Sequence, residues 1–160
     1  MAGDSRACQR ETLILIAVDT NILVYAHRSE SPFYPAAGRC IAELAQSRSA
    51  WAIPWTCIHE FLNVVTHPRI HRTPTPLQVA LDQIEAWFES PTLSLLTESD
   101  AHWPDLRRLL LAGDITGPLV HDARIAAICL QHGVRELWTA DRDFGRFPQL
   151  KTVNPLVFLT

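Results

Sequence analysis

The segment that most limits what this chain can fold into is Leu13 to Val18, in which every residue is apolar. So short a run suits a strand rather than a helix. Because it lacks polar alternation, neither of its faces is built to meet water, and such a strand belongs inside a parallel sheet covered on both sides. The run stops at Asp19, and the Asp19-Thr20-Asn21 sequence leads straight into Ile22 to Ala26, an apolar stretch read as a helix. A strand that passes into a helix at an acid begins a βα unit. In open parallel sheets the carboxyl ends of strands are where functional groups collect.

The pattern continues down the chain. Shorter strand candidates are Ala50 to Ile53, Leu93 to Leu96, Glu136 to Trp138 and a last one around Lys151 to Val153. Helical patterns separate them. Ser31-Pro32 has the form of an N-cap and first helical residue, opening a helix to about Ala45. Thr75-Pro76 repeats the device before Leu77, Ala80, Leu81, Ile84 and Phe88, which form one apolar stripe. Ser99 is expected to cap a helix through Leu106, Leu109 and Leu110, and Val120 to His132 ends at Gly133, a natural C′ residue. His67 to Pro76, with three prolines, reads as a loop between helices. Alternating strands and helices without a tandem repeat predict a three-layer α/β fold around a central, mostly parallel sheet.

At 160 residues and 48% hydrophobic, the chain fits one globular domain with a sizeable core. Leu13 to Val18 is far shorter than the roughly 20 residues that span a bilayer, and it lacks the length and cleavage site of a signal peptide. The expectation is a cytoplasmic protein with no membrane segment. Cys8, Cys40, Cys57 and Cys129 are dispersed without a C-x-x-C pair, which suggests neither a zinc ribbon nor a disulfide framework. The net charge of −3 argues against a domain that coats nucleic acid electrostatically, although setting aside four metal-binding carboxylates would take it to +1.

Four acids stand at positions where such a fold can use them. Asp19 follows the first strand. Asp141 follows the Leu137-Trp138 strand, inside Thr139-Ala140-Asp141-Arg142-Asp143-Phe144, and Asp122 lies near the start of the Val120 helix. For each of these three, helix capping or a favourable place at the positive end of the helix dipole is a sufficient local explanation. Glu60 differs. On a helix from Thr56 to Thr66 the apolar stripe is Ile58, Phe61, Leu62 and Val65, which leaves Thr56, Glu60, Asn63 and His67 on the other face, where a lone Glu is ordinarily just solvated.

It is the order of the four that carries information. The signatures Val18-Asp19-Thr20-Asn21, Thr56 with Glu60 four residues on, His121-Asp122-Ala123-Arg124-Ile125-Ala126-Ala127, and Leu137 to Phe144 resemble those of the PIN-domain family, and in its small single-domain form the VapC toxins of toxin-antitoxin operons. The resemblance covers about Leu13 to Val153. It implies a single PIN-like nuclease domain over residues 13–160, with Asp19, Glu60, Asp122 and Asp141 as catalytic metal ligands and Asp143 as an accessory or capping acid. Members of the family usually begin almost at the first strand, so residues 1–12 are expected to be a disordered extension or to reflect an upstream start codon.

Carboxylate oxygens are hard ligands that suit Mg²⁺ or Mn²⁺, and zinc is disfavoured because Pro68 breaks any helix that would align His67 with His71. Divalent ions held by such acids activate water and stabilise charge on an attacked phosphate. The resemblance implies hydrolysis of RNA by water, leaving a 5′ phosphate and a 3′ hydroxyl. It also implies a cognate antitoxin whose arginine can occupy the acidic groove, and a homodimer. Thr20, Asn21 and Thr139 are neighbours that could orient the carboxylates, turn chemistry being the plainer role for each. Arg124, Arg142 and Arg146 are candidates for substrate contact. Two other readings compete: another metal-dependent phosphohydrolase, and a non-catalytic PIN scaffold. The nucleotide-binding patterns G-x-G-x-x-G and G-x-x-x-x-G-K are absent.

Overall fold

A computed structural model of the protein describes residues 14–157. The extension expected over residues 1–12 lies outside them, as do Leu13 and Cys8. Five strands form one sheet: β1 (Ile16–Val18), β2 (Trp51–Pro54), β3 (Leu93–Leu96), β4 (Glu136–Trp138) and β5 (Thr152–Val153). Their order is β3-β2-β1-β4-β5, and every neighbouring pair is parallel. The last three residues of the apolar run thus supply the central strand, whose Ala17 and Val18 are fully buried, whereas Ile14 precedes the strand and is exposed.

Six helices connect the strands. α1 (Thr20–His27) and α2 (Tyr34–Gln46) lie between β1 and β2, α3 (Trp55–Val65) and α4 (Leu77–Phe88) between β2 and β3, and α5 (His102–Gly113) and α6 (Leu119–Gln131) between β3 and β4. The first two crossovers step outward from β1 in one direction, and the third returns past it to β4. Right-handed crossovers running in opposite directions place their helices on opposite faces of the sheet, which gives the three layers. The core is the matching set of buried side chains, among them Trp51, Phe61, Ile22, Leu23, Leu137 and Ile128. Cys40, Cys57 and Cys129 are free and buried, as small hydrophobes would be.

Three expected helix starts are corrected. α2 opens at Tyr34, not at Pro32 behind a Ser31 cap, with Pro35 in its first turn, and the Ser31 hydroxyl instead accepts from the Phe33 N–H in the preceding turn. Thr75 does not cap α4. Its hydroxyl meets Arg28 Nη1 at 3.0 Å and His27 Nε2 at 3.2 Å, so a tertiary contact has taken the group that would have capped. Ser99 lies outside α5, which begins at His102 without a side-chain cap. Gly133 does what its position suggested: at φ +68° it follows α6, and the N–H of Val134 returns to the Cys129 carbonyl at 3.0 Å.

The direction in which the chain winds reverses between β1 and β4. These strands are adjacent, but the chain leaves them toward opposite edges, so the loops beyond their carboxyl ends part and leave a crevice. Asp19 follows β1 and Thr139 follows β4, both at the mouth of that crevice.

Candidate active site

Asp19 is built in from all sides. Its backbone N–H donates to the Trp138 carbonyl at 3.0 Å, fixing the end of β1 against β4. Its carboxylate Oδ1 accepts from the Thr20 N–H at 2.8 Å, so it also caps α1, and Cys57 Sγ lies 3.7 Å from the same oxygen. Oδ2 accepts from Thr139 Oγ1 at 2.7 Å and from Asn21 Nδ2 at 3.4 Å. The cap thus engages one carboxylate oxygen and leaves the other facing the end of β4. The residue is only 4% exposed. Burial pushes its carboxyl up to about 6, the Glu60 charge adds to the rise, and the bonds from Thr139 and Thr20 oppose it.

Asn21 and Thr139 cross-link the two strand ends. Asn21 Nδ2 donates to Thr139 Oγ1 at 3.2 Å, Asn21 Oδ1 accepts from the Ala140 N–H at 3.2 Å, and Thr139 Oγ1 accepts from the Asp141 N–H at 3.0 Å. This network leaves little freedom to the loop that carries Asp141. That residue caps the short 3₁₀ turn Arg142–Arg146 by accepting from the Asp143 N–H at 2.9 Å. On α3, Glu60 Oε2 accepts from Thr20 Oγ1 at 2.9 Å, which ties the helix to the start of α1. Asp122 sits in the first turn of α6.

The fold brings Asp19, Glu60, Asp122 and Asp141 to the wall of one cavity of about 330 Å³, together with Thr20, Asn21, Val24, Tyr25 and Val64. Carboxylate oxygens of Asp122, Asp141 and Asp143 lie within 4.8 Å of one another, a grouping that could hold a metal ion. Asp122 is pushed up to about 6, first by burial and then by the charges of Asp141, Asp19, Asp143 and Glu60. Among the described residues no Lys, Arg or His forms an ion pair with any of these five acids. Arg124, at the edge of the site, pairs instead with Glu98, while Arg142 and Arg146 project into solvent beyond the cavity. An all-oxygen, charge-rich donor set without an internal counter-ion fits a hard divalent cation.

Some contributors were not singled out in the sequence. Cys57 reads there as a small hydrophobe, and nothing local marks it as a neighbour of Asp19. Tyr25 and Val64 could have been found, since each lies four residues, about one helical turn, beyond a site residue, Asn21 and Glu60 respectively.

Residues 16–150 match the family model described as PIN domain. Ribonuclease VapC48 of Mycobacterium tuberculosis is 30% identical over 137 residues, covering 86% of this chain and 94% of that protein. Ribonuclease VapC43 of the same organism is 32% identical over 142 residues, covering 89% and 96%. Among solved structures, the VapBC2 complex of Rickettsia felis bound to a DNA fragment from its promoter contains a chain that superposes with a TM-score of 0.63 at 19% identity, covering 88% of this chain and 98% of that one. A matching model over most of the chain, relatives of about a third identity along nearly their whole length, and the same fold place this chain in the PIN-domain family, among its VapC members.

Proposed function

We propose that this protein is an Mg²⁺- or Mn²⁺-dependent endoribonuclease that hydrolyses RNA phosphodiester bonds and serves as the toxin of a toxin-antitoxin pair. The observation that carries the reading is the convergence of Asp19, Glu60, Asp122 and Asp141 on one cavity with no cationic side chain paired to them among the described residues. These four would hold the metal, with Asp143 as an accessory acid beside Asp122 and Asp141. When bound there, a divalent ion supplies Lewis-acid polarisation of the phosphate and an activated water.

The rest is done by the chain itself. Thr139, Asn21 and the Thr20 N–H hold the Asp19 carboxylate in one orientation, and the Thr20 hydroxyl does the same for Glu60. Fixing ligands in advance spares reorganisation when charge develops in the reaction. Arg124 lies close enough to the groove to exchange its exposed partner Glu98 for an RNA phosphate, and Arg142 and Arg146 would extend that contact. The relatives named as ribonucleases, and the neighbour solved as a VapBC complex, support the substrate and the antitoxin partner. Exposed Trp103 and Leu111 on α5 supply apolar surface for the proposed homodimer. The protein would act in the cytoplasm, and no helix among the described residues is long and apolar enough to cross a membrane.

The test has two parts. Purified protein should cleave single-stranded RNA, lose activity with a chelator and regain it with Mg²⁺ or Mn²⁺, and restoration by zinc alone would defeat the hard-ligand argument. Induction of the gene should arrest growth, and co-expression of the adjacent small gene should relieve the arrest and yield a co-purifying complex. Absence of both the arrest and the complex would leave a nuclease without a toxin role.

A further inference from the structure

Glu60 and Asp122 stand on a divide between two cavities. On one side is the acidic cavity that also holds Asp19 and Asp141. On the other is a larger one of about 600 Å³, into which Asp143 faces, walled by Thr56, His59 and Asn63 from α3 and by His121 and Arg124 from α6. Its size lies in the range of small-molecule sites, roughly 300–1,000 Å³. Its chemistry differs from that of its neighbour: beyond the shared acids, the wall offers an amide, two imidazoles and a guanidinium.

Two details go beyond shape. Asn63 is exposed one turn along α3 from Glu60, and its amide offers donors and acceptors together. The His59 ring lies 6.0 Å from the Trp55 indole at 34°, so the imidazole is backed by a second aromatic plane.

We propose that this second cavity is a nucleobase subsite, taking the base next to the scissile phosphate of a single-stranded RNA, with His59 as the stacking surface and Asn63 pairing with the base edge. The inference rests on the nuclease reading. A phosphate held over Glu60 and Asp122 lies between the two cavities, within reach of a flanking nucleoside seated in the second. Single-stranded RNA is read by stacking on aromatic or His planes and by hydrogen bonds to splayed base edges, and this side carries both. In the first cavity Thr20 and Asn21 are already engaged with Glu60, Asp19, Thr139 and Ala140, which leaves the Tyr25 phenol as its further polar group beside Val24 and Val64, against the amide, two imidazoles and guanidinium of the second. Discrimination between bases therefore falls to the second cavity.

Two measurements test it, and His59 and Asn63 are both exposed, so substitution spares the core. In the first, a random-sequence RNA pool is cut with Mg²⁺ by parent, Asn63→Ala and His59→Ala proteins, and the new ends are sequenced. The parent should prefer certain bases at one nucleotide flanking the cut by roughly 5- to 150-fold, the range for a well-made base contact. Asn63→Ala should bring that preference toward unity while preferences elsewhere persist, and His59→Ala should weaken it. Variants that keep the parent's preference at both flanking positions would overturn the proposal. In the second, isotope-labelled parent is titrated with AMP, CMP, GMP, UMP and ribose 5-phosphate while the Asn63 amide and His59 ring resonances are followed. Nucleotides should move them and ribose 5-phosphate should not. A protein that cuts RNA while no nucleotide moves these signals defeats the subsite and leaves the nuclease reading standing. Base-dependent shifts in a protein that cuts no RNA defeat the nuclease reading and leave the subsite standing.

Discussion

Changing Asp122 to Asn in the metal-free protein alters the charge of the site with little change in shape. In the parent, burial and then Asp141, Asp19, Asp143 and Glu60 push this carboxyl from 3.8 up to about 6, so at pH 7.5 it is ionised against an opposing field. A rise of that size corresponds to about 3 kcal/mol. The side chain is only partly buried, and solvent screening brings the penalty to about 1–2 kcal/mol. Working against this, Asn forfeits the attraction between an acid and the positive end of α6, about 0.3–1 kcal/mol. The balance favours the mutant by about 1 kcal/mol, or about 2–4 °C in Tm for a chain of this size. The direction of the shift also sets the pH dependence. With a raised folded pKa, the native chain binds more protons than the unfolded chain between about pH 4 and pH 6. The parent therefore loses stability as pH rises through that window, and the full penalty is present above it. Calorimetry of chelator-treated proteins should thus show no advantage for Asp122→Asn near pH 4 and the full advantage at pH 7.5. Adding Mg²⁺ should reverse the order, because a saturating ligand stabilises the parent by about 2.7 kcal/mol at a hundredfold excess over Kd and the mutant by less. A mutant that melts at or below the parent at pH 7.5 without metal would refute the reasoning in favour of simple capping. Equal Mg²⁺-induced gains would show that the ion binds elsewhere.

Asp19→Asn should abolish metal-dependent RNA cleavage in a protein that remains folded by circular dichroism; loss of a ligand should exceed the 10- to 100-fold typical of the groups that orient one, and unchanged turnover would sink the site. Thr139→Val keeps the shape but removes the 2.7 Å donor to Asp19 and the acceptor for the Asp141 N–H, so it should cost about 1–3 kcal/mol and weaken Mg²⁺ binding 10- to 100-fold in titration calorimetry, with Thr139→Ser restoring both. Two glycines should respond with opposite signs in denaturant melts. Gly133→Ala puts a Cβ at φ +68° and should lose about 1 kcal/mol, whereas Gly38→Ala, inside α2 with nothing within 4 Å of the added Cβ, should gain about 0.5–1 kcal/mol.

What the sequence determined on its own is the part of the fold written in local patterns. The apolar run ending at Val18 marked a strand covered on both faces, which its last three residues form, and the alternation of short apolar runs with helical stripes favoured a parallel sheet with crossovers. Gly133 stopped its helix because only a residue without a Cβ enters the left-handed conformation at no cost. Asp19, Asp122 and Asp141 could be placed at a strand end or helix start, where a capping acid and a metal-binding acid look alike because both need the same side chain at the same local position, and Glu60, in the middle of α3, reads locally as an ordinary solvated acid. Only the tertiary structure decided between neighbours that lie far apart in the chain. It used the Thr75 hydroxyl for Arg28 and His27 rather than for a helix cap, and it set Cys57 beside Asp19. It also joined Thr139 to Asp19 across 120 residues of sequence. The order β3-β2-β1-β4-β5 is likewise invisible to local pattern, because a strand's propensity does not name its partner. That order puts the ends of β1 and β4 side by side at the point where the chain reverses direction, and so turns four separately ordinary acids into one crowded cavity.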